Sequence, residues 1–240
     1  MKLQRSLPVY AGLCAWALIA CCLTSCTSPD PQKKTEITPA QLTAFEQLAA
    51  TDLLMHSYGR SSDRKSVFRV QGMAAKLAQA AGTQPIGCVL VFGNGFANAY
   101  PAPGRMIMLT DNLYLIAKND DELAALIGHQ IGHILSGHPM AKLKTLTMEN
   151  GMTGTNAIAS SDPADMKLPV NDPMKALADK VIELKYNPLE EQEAEQTRIK
   201  ITTAAGYRSD VMPDLLISLQ RASDAVKRAP EYFVIHPPRL

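Results

Sequence analysis

The sequence predicts a mostly helical α+β domain. Three observations carry that expectation. Aromatic residues are sparse while Ala, Leu and Met are plentiful, which favours helices. Long segments place apolar residues at helical spacing. Only two short apolar runs, 88–92 and 106–110, have the length expected of buried strands. At 240 residues the chain can bury a core without disulfide staples.

The N-terminus reads as a leader rather than as part of that fold. Lys2 and Arg5 form a basic start, residues 7–23 are apolar, and Leu23-Thr24-Ser25-Cys26 follows. This order is that of a secretory signal peptide. Its end resembles a bacterial lipobox, which implies that residues 1–25 are removed and that Cys26 is lipidated and anchors the chain to a membrane. Thr27 rather than Asp after the cysteine resembles lipoproteins of the outer membrane, so the expected location is the cell envelope, facing the periplasm. The leader takes with it two of the 24 basic residues and none of the 23 acidic ones, so the net charge turns from +1 to −1. Near-neutrality gives no support for a nucleic-acid partner. Cys14, Cys21 and Cys22 lie in the leader and Cys26 at the lipid site. Cys88 then has no partner for an intrachain disulfide, and reads as a buried small hydrophobe.

Residues 26–37 are polar and contain prolines, as a tether would. The domain is expected over 38–240. Thr38-Pro39 resembles an N-cap followed by Pro at the first helical position, opening a helix to about residue 58. A second helix is expected over 63–81, broken by the segment from Gly82 to Pro85. The strands over 88–92 and 106–110 come next. Asp111 is expected to cap a short helix through Ala117. Asn119-Asp120-Asp121-Glu122 opens another helix, with its acidic residues favourably placed in the first turn. Leu123, Leu126, Ile127, Ile131, Ile134 and Leu135 give that helix one apolar face, and His138 is expected to continue it. Residues 149–173 are rich in Gly, Ser, Thr, Asn, Asp and Pro and read as a long loop. Helices resume over 173–186, 189–205 and 209–229. Gly128, Gly132 and Gly137 weaken a helix intrinsically, so close backbone packing is their expected purpose.

The chemistry lies in Gly128-His129-Gln130-Ile131-Gly132-His133. Histidines at i and i+4 share one face of a helix, one turn apart. That is the geometry of the first two ligands of a tetrahedral zinc. In such motifs the residue after the first histidine is a Glu that takes a proton from the zinc-bound water; here it is Gln130. A third ligand is expected from another helix. The acidic segment Asn187-Pro188-Leu189-Glu190-Glu191-Gln192-Glu193-Ala194-Glu195 could supply a carboxylate, but spacing does not choose between Glu190, Glu191, Glu193 and Glu195.

Four blocks over residues 98–236 resemble the M48 family of zinc metallopeptidases, and most of all its small periplasmic lipoprotein members. They are Asn98-Ala99-Tyr100-Pro101-Ala102-Pro103-Gly104, which resembles the family's entry to a strand; Glu122 through His133; Glu191-Gln192-Glu193-Ala194-Glu195 through Ala205-Gly206-Tyr207; and His236-Pro237. The resemblance implies a gluzincin-like metallopeptidase domain with a small β-sheet packed on the zinc-binding helix. It implies one zinc ion per chain, with His129, His133 and Glu191 as ligands. It places Gln130 at the general-base position. His236 matches a histidine that helps stabilise the transition state or bind substrate, and Glu195 an acid that orients a ligand histidine from behind. The departures are Gln130 for Glu, Asn187-Pro188 for Ser-Arg, Glu195 for Asp and Arg198 for Gly. Four scattered changes read as natural drift.

The implied function is zinc-activated hydrolysis of peptide bonds. A peptide is expected to lie as an added strand beside the strand over 106–110. Zinc acidifies its water without help from a Glu. Gln can hydrogen-bond that water but cannot accept and return its proton near neutral pH. General acid–base help is worth ~10²–10⁴-fold, so weak or absent peptidase activity is expected, with zinc binding retained. The alternative is a pseudo-peptidase that binds envelope proteins without cutting them. Both histidines and Glu191 argue against a metal-free structural module.

Overall fold

The structure is a computed structural model and describes residues 59–92, 97–102, 105–149, 185–225 and 231–237. The expected leader, the tether with Cys26, the helix over 38–58 and the loop beyond Glu149 lie outside these residues. Of the helix expected over 173–186 only Lys185 and Tyr186 are described, and neither is helical.

Helix α1 (Arg64–Ala80) starts where Asp63 accepts a hydrogen bond from the Lys65 backbone N–H at 3.1 Å. Val70, Met73, Ala74 and Leu77 form its buried stripe. Strands β1 (Gly87–Val91), β2 (Ala99–Ala102) and β3 (Met106–Thr110) make a three-stranded sheet in the order β1-β3-β2. β1 runs parallel to β3, and β2 antiparallel to it with Pro101 opposite Ile107. Periodicity could not find β2, which has four residues and includes a proline. Pro is tolerated there because the strand lies at the sheet edge. Buried Asn98 fixes the entry to β2: its backbone N–H donates to Thr110 Oγ1 at 2.9 Å, and its Oδ1 accepts from Ala99 N–H at 2.8 Å. Since β3 is central and paired on both sides, no peptide can add to it. This corrects the expected docking strand. Of the strands, β2 makes the main contact with the histidine helix.

Thr110, not Asp111, caps the short helix α2 (Asp111–Ile116), because Thr110 still has extended backbone angles while Asp111 is already helical. Helix α3 (Asp120–Leu135) carries the histidine motif. Asn119 caps it, accepting from Glu122 N–H at 2.9 Å, and Asp120, Asp121 and Glu122 sit in its first turn. Every residue from Glu122 to His133 is buried. The helix is therefore central rather than one-faced, held between α1, β2 and helix α5 (Pro188–Ala204).

Gly132 permits the approach of α5: a Cβ there would lie 2.4 Å from the Ala194 carbonyl oxygen. Gly137 serves a different purpose from close packing. A Cβ on it would meet nothing within 4 Å, but its φ of +75° ends the helix after the Ser136 C-cap. His138 therefore begins helix α4 (His138–Glu149) instead of continuing α3. α5 opens with a capping box: Asn187 Oδ1 accepts from Glu190 N–H at 3.0 Å, and Glu190 Oε2 accepts from Asn187 N–H at 2.8 Å. Pro188 takes the first helical position. Helices α6 (Met212–Ala225) and α7 (Glu231–Ile235) complete the described fold. No helix among the described residues is long and apolar enough to cross a membrane.

Candidate metal centre

Three helices bring their polar side chains to one buried point. α3 contributes His129 and His133, α5 contributes Glu191, and His236 follows the last turn of α7, where its N–H donates to Tyr232 O at 2.8 Å. The potential ligand atoms of these four residues all lie within 4.8 Å of one another. His129 Nε2 is 3.2 Å from His133 Nε2 and 3.2 Å from Glu191 Oε2. Glu191 Oε1 is 3.4 Å from His133 Nε2 and 2.9 Å from His236 Nδ1. A tetrahedral ion with bonds of about 2.0–2.1 Å holds neighbouring ligand atoms about 3.3 Å apart. Three imidazoles and a carboxylate at these separations fit zinc in both donor chemistry and spacing.

The electrostatics suit a cation. Burial opposes ionisation of Glu191, but the facing rings of His129, His133 and His236 outweigh it and hold the carboxyl far below its usual range. Burial pushes His133 down to about 2, and burial lowers His236 as well. Both are thus neutral, the form that binds metal. For His129 burial also disfavours charge, but the facing Glu191 and Glu195 prevail and raise it. Beside the cluster is a cavity of about 530 Å³, whose apolar wall includes Met212, Leu216 and Tyr232.

The four glutamates left open by spacing have different partners. Glu190 is engaged in the capping box and Glu191 lies in the histidine cluster. Glu193 Oε2 is 3.0 Å from His138 Nε2. Glu195 Oε2 stands 3.5 Å from His129 Nδ1, and its carboxylate accepts from Arg198 Nε at 2.7 Å and Nη2 at 2.6 Å. Two of the departures noted above are therefore bonded to each other. Burial works against ionisation of Glu195, but His129 and Arg198 hold it at about 2. Gln130 is fully buried, with its Nε2 3.4 Å from His236 Nε2 and no hydrogen-bond partner for its Oε1. Cys26 lies outside the described residues.

Three side chains that the sequence reading did not assign to this site are part of it. His138 Nδ1 is 2.9 Å from His133 Nδ1. The Tyr186 ring stacks on His133 with centroids 3.7 Å apart. Lys142 Nζ sits 3.1 Å from the centre of the Tyr186 ring, and burial lowers this lysine to about 8. The Gly137-His138 pair was the available signal for the first, since Gly just past a helix can turn the next residue back. Tyr186 falls at the end of the helix expected over 173–186, and nothing local marks it as part of the site.

A histidine helix crossed by a glutamate helix beside a small sheet defines a metallopeptidase-type domain. Residues 62–240 match the model of peptidase family M48, and the chain belongs to that family of zinc metallopeptidases. It is 25% identical over 150 residues to the beta-barrel assembly-enhancing protease of Yersinia pestis, covering 60% of this chain and 30% of that one. It is 23% identical over 155 residues to the protein of the same name from Escherichia coli strain K12, covering 61% and 31%. The match thus spans less than a third of the length of these relatives.

Proposed function

We propose that this chain is a zinc-binding envelope lipoprotein of the metalloendopeptidase type whose hydrolytic step is slow because Gln130 stands at the general-base position. One observation carries the reading: the ligand atoms of His129, His133, Glu191 and His236 gather within 4.8 Å beside a fully buried Gln130. His129, His133 and Glu191 hold the ion, and the Glu195 carboxylate, 3.5 Å from His129 Nδ1, supports that ring electrostatically from behind. Zinc bound there supplies Lewis acidity, polarising a peptide carbonyl and making water a competent nucleophile near neutral pH.

The protein's own groups then limit the reaction. The Gln130 carboxamide donates a hydrogen bond from Nε2 but has no basic site to take up a proton and pass it to a leaving amine. His236, 2.9 Å from Glu191 Oε1 and 3.4 Å from Gln130 Nε2, would contact a substrate held at the ion. An extended peptide docks along β2, whose Ala99 carbonyl oxygen lies 3.3 Å from His236 Nε2. The apolar wall of Met212, Leu216 and Tyr232 receives its side chains. Cys26 carries the lipid, and the name of the matched relatives supports substrates or partners among envelope proteins.

A second reading, a pseudo-peptidase that binds polypeptides without cutting them, is favoured by His236. Four protein ligands would close a tetrahedral zinc site, the pattern of structural rather than catalytic zinc. Gln130→Glu separates the two. Under the first reading, cleavage of an unfolded protein such as casein rises ~10²–10⁴-fold at unchanged zinc content. Absent cleavage with zinc bound in both forms leaves the second.

A further inference from the structure

We infer that His138 and Glu193 form a relay that holds His133 in the tautomer able to bind metal, so that both are positioning residues of the centre. The inference rests on the zinc reading above. His133 is wholly buried and its Nε2 faces His129 and Glu191. For Nε2 to offer a lone pair to a metal, the ring must be neutral and carry its proton on Nδ1. That proton needs an acceptor, and His138 Nδ1 lies 2.9 Å away. If His138 Nδ1 accepts, a neutral His138 carries its own proton on Nε2, and Glu193 Oε2, 3.0 Å off, accepts it. Each assignment forces the next, from a half-exposed carboxylate through a buried imidazole to the ligand ring.

The backbone is built for this contact. In an unbroken helix a residue five positions on points about 140° away from His133. The left-handed Gly137 breaks the helix and returns His138 to the His133 ring, with centroids 5.1 Å apart. Glu193 comes from α5, the helix that also delivers Glu191. One helix thus supplies both a ligand candidate and the outer acceptor for a second ligand. Groups orienting a metal-bound histidine in this way typically change affinity 10–100-fold when removed.

The test uses the full-length chain and zinc itself, with affinity read by competition with a chromophoric chelator. His138→Ala is expected to weaken zinc about 10–100-fold, and His138→Asn, whose Oδ1 replaces the accepting nitrogen, to recover most of that loss. Glu193 is half exposed, so its variants retain the fold. Glu193→Ala and Glu193→Gln lose the same charge, but only Gln keeps an acceptor, so a relay makes Ala the weaker binder. In the metal-free chain, nitrogen-15 spectra of the histidine rings should show His133 protonated on Nδ1. Equal zinc affinity in wild type and His138→Ala, equal affinity in the two Glu193 variants, or an Nε2-protonated His133 overturns the relay alone. A wild-type chain that binds no zinc overturns the site reading and this inference with it.

Discussion

Gln130 and the glutamate it replaces have nearly the same shape, so the difference between them is chemical. A carboxamide at a buried position beside His236 keeps packing and hydrogen bonding while losing the capacity to carry a proton. That substitution was legible in the sequence because the histidine spacing fixes the position beside His129. The choice among Glu190, Glu191, Glu193 and Glu195 was not legible by spacing, since each is polar and all lie within two turns of one helix. Their partners differ because one helix end caps itself while the next turns face α3 and α4. At the same scale, Cys88 is buried in β1, and burial pushes its thiol from the ordinary 9.0 up to about 12. The folded thiol should resist iodoacetamide at pH 8 and react on unfolding, read by mass mapping of its peptide. The raised value also has a sign. As pH climbs above about 9, the unfolded thiol ionises and the folded one does not, so this group removes stability in alkali.

At the scale of elements, α1, β1, β3 and α3 follow from periodicity and caps. What periodicity misses comes from tertiary contacts. β2 is a strand because β3 offers it an edge, although its own residues have little strand preference. α3 is buried all round because α1, β2 and α5 enclose it. The contact between α3 and α5 depends on Gly132. Gly132→Ala forces a Cβ against the Ala194 backbone and should cost about 3 kcal/mol or more, with loss of zinc as the histidines and Glu191 separate. Gly137→Ala meets no atom and should cost only the left-handed strain, about 1–2 kcal/mol. Thermal unfolding of the two variants checks this order; equal effects would contradict it.

For the molecule as a whole, a metal centre joining α3 and α5 would act as a cross-brace between segments far apart in sequence. An ion that binds only the folded chain stabilises it by about 2.7 kcal/mol at a hundredfold excess over its dissociation constant. Chelation should therefore lower the melting temperature, and zinc should restore it. The proposed envelope location rests on the expected leader and on Cys26.

The most direct test is the zinc content of the purified full-length chain, compared with His133→Ala. About one zinc per wild-type chain is expected, with a clear loss in the variant. Zinc absent from the wild type, or equal in both proteins, would contradict it.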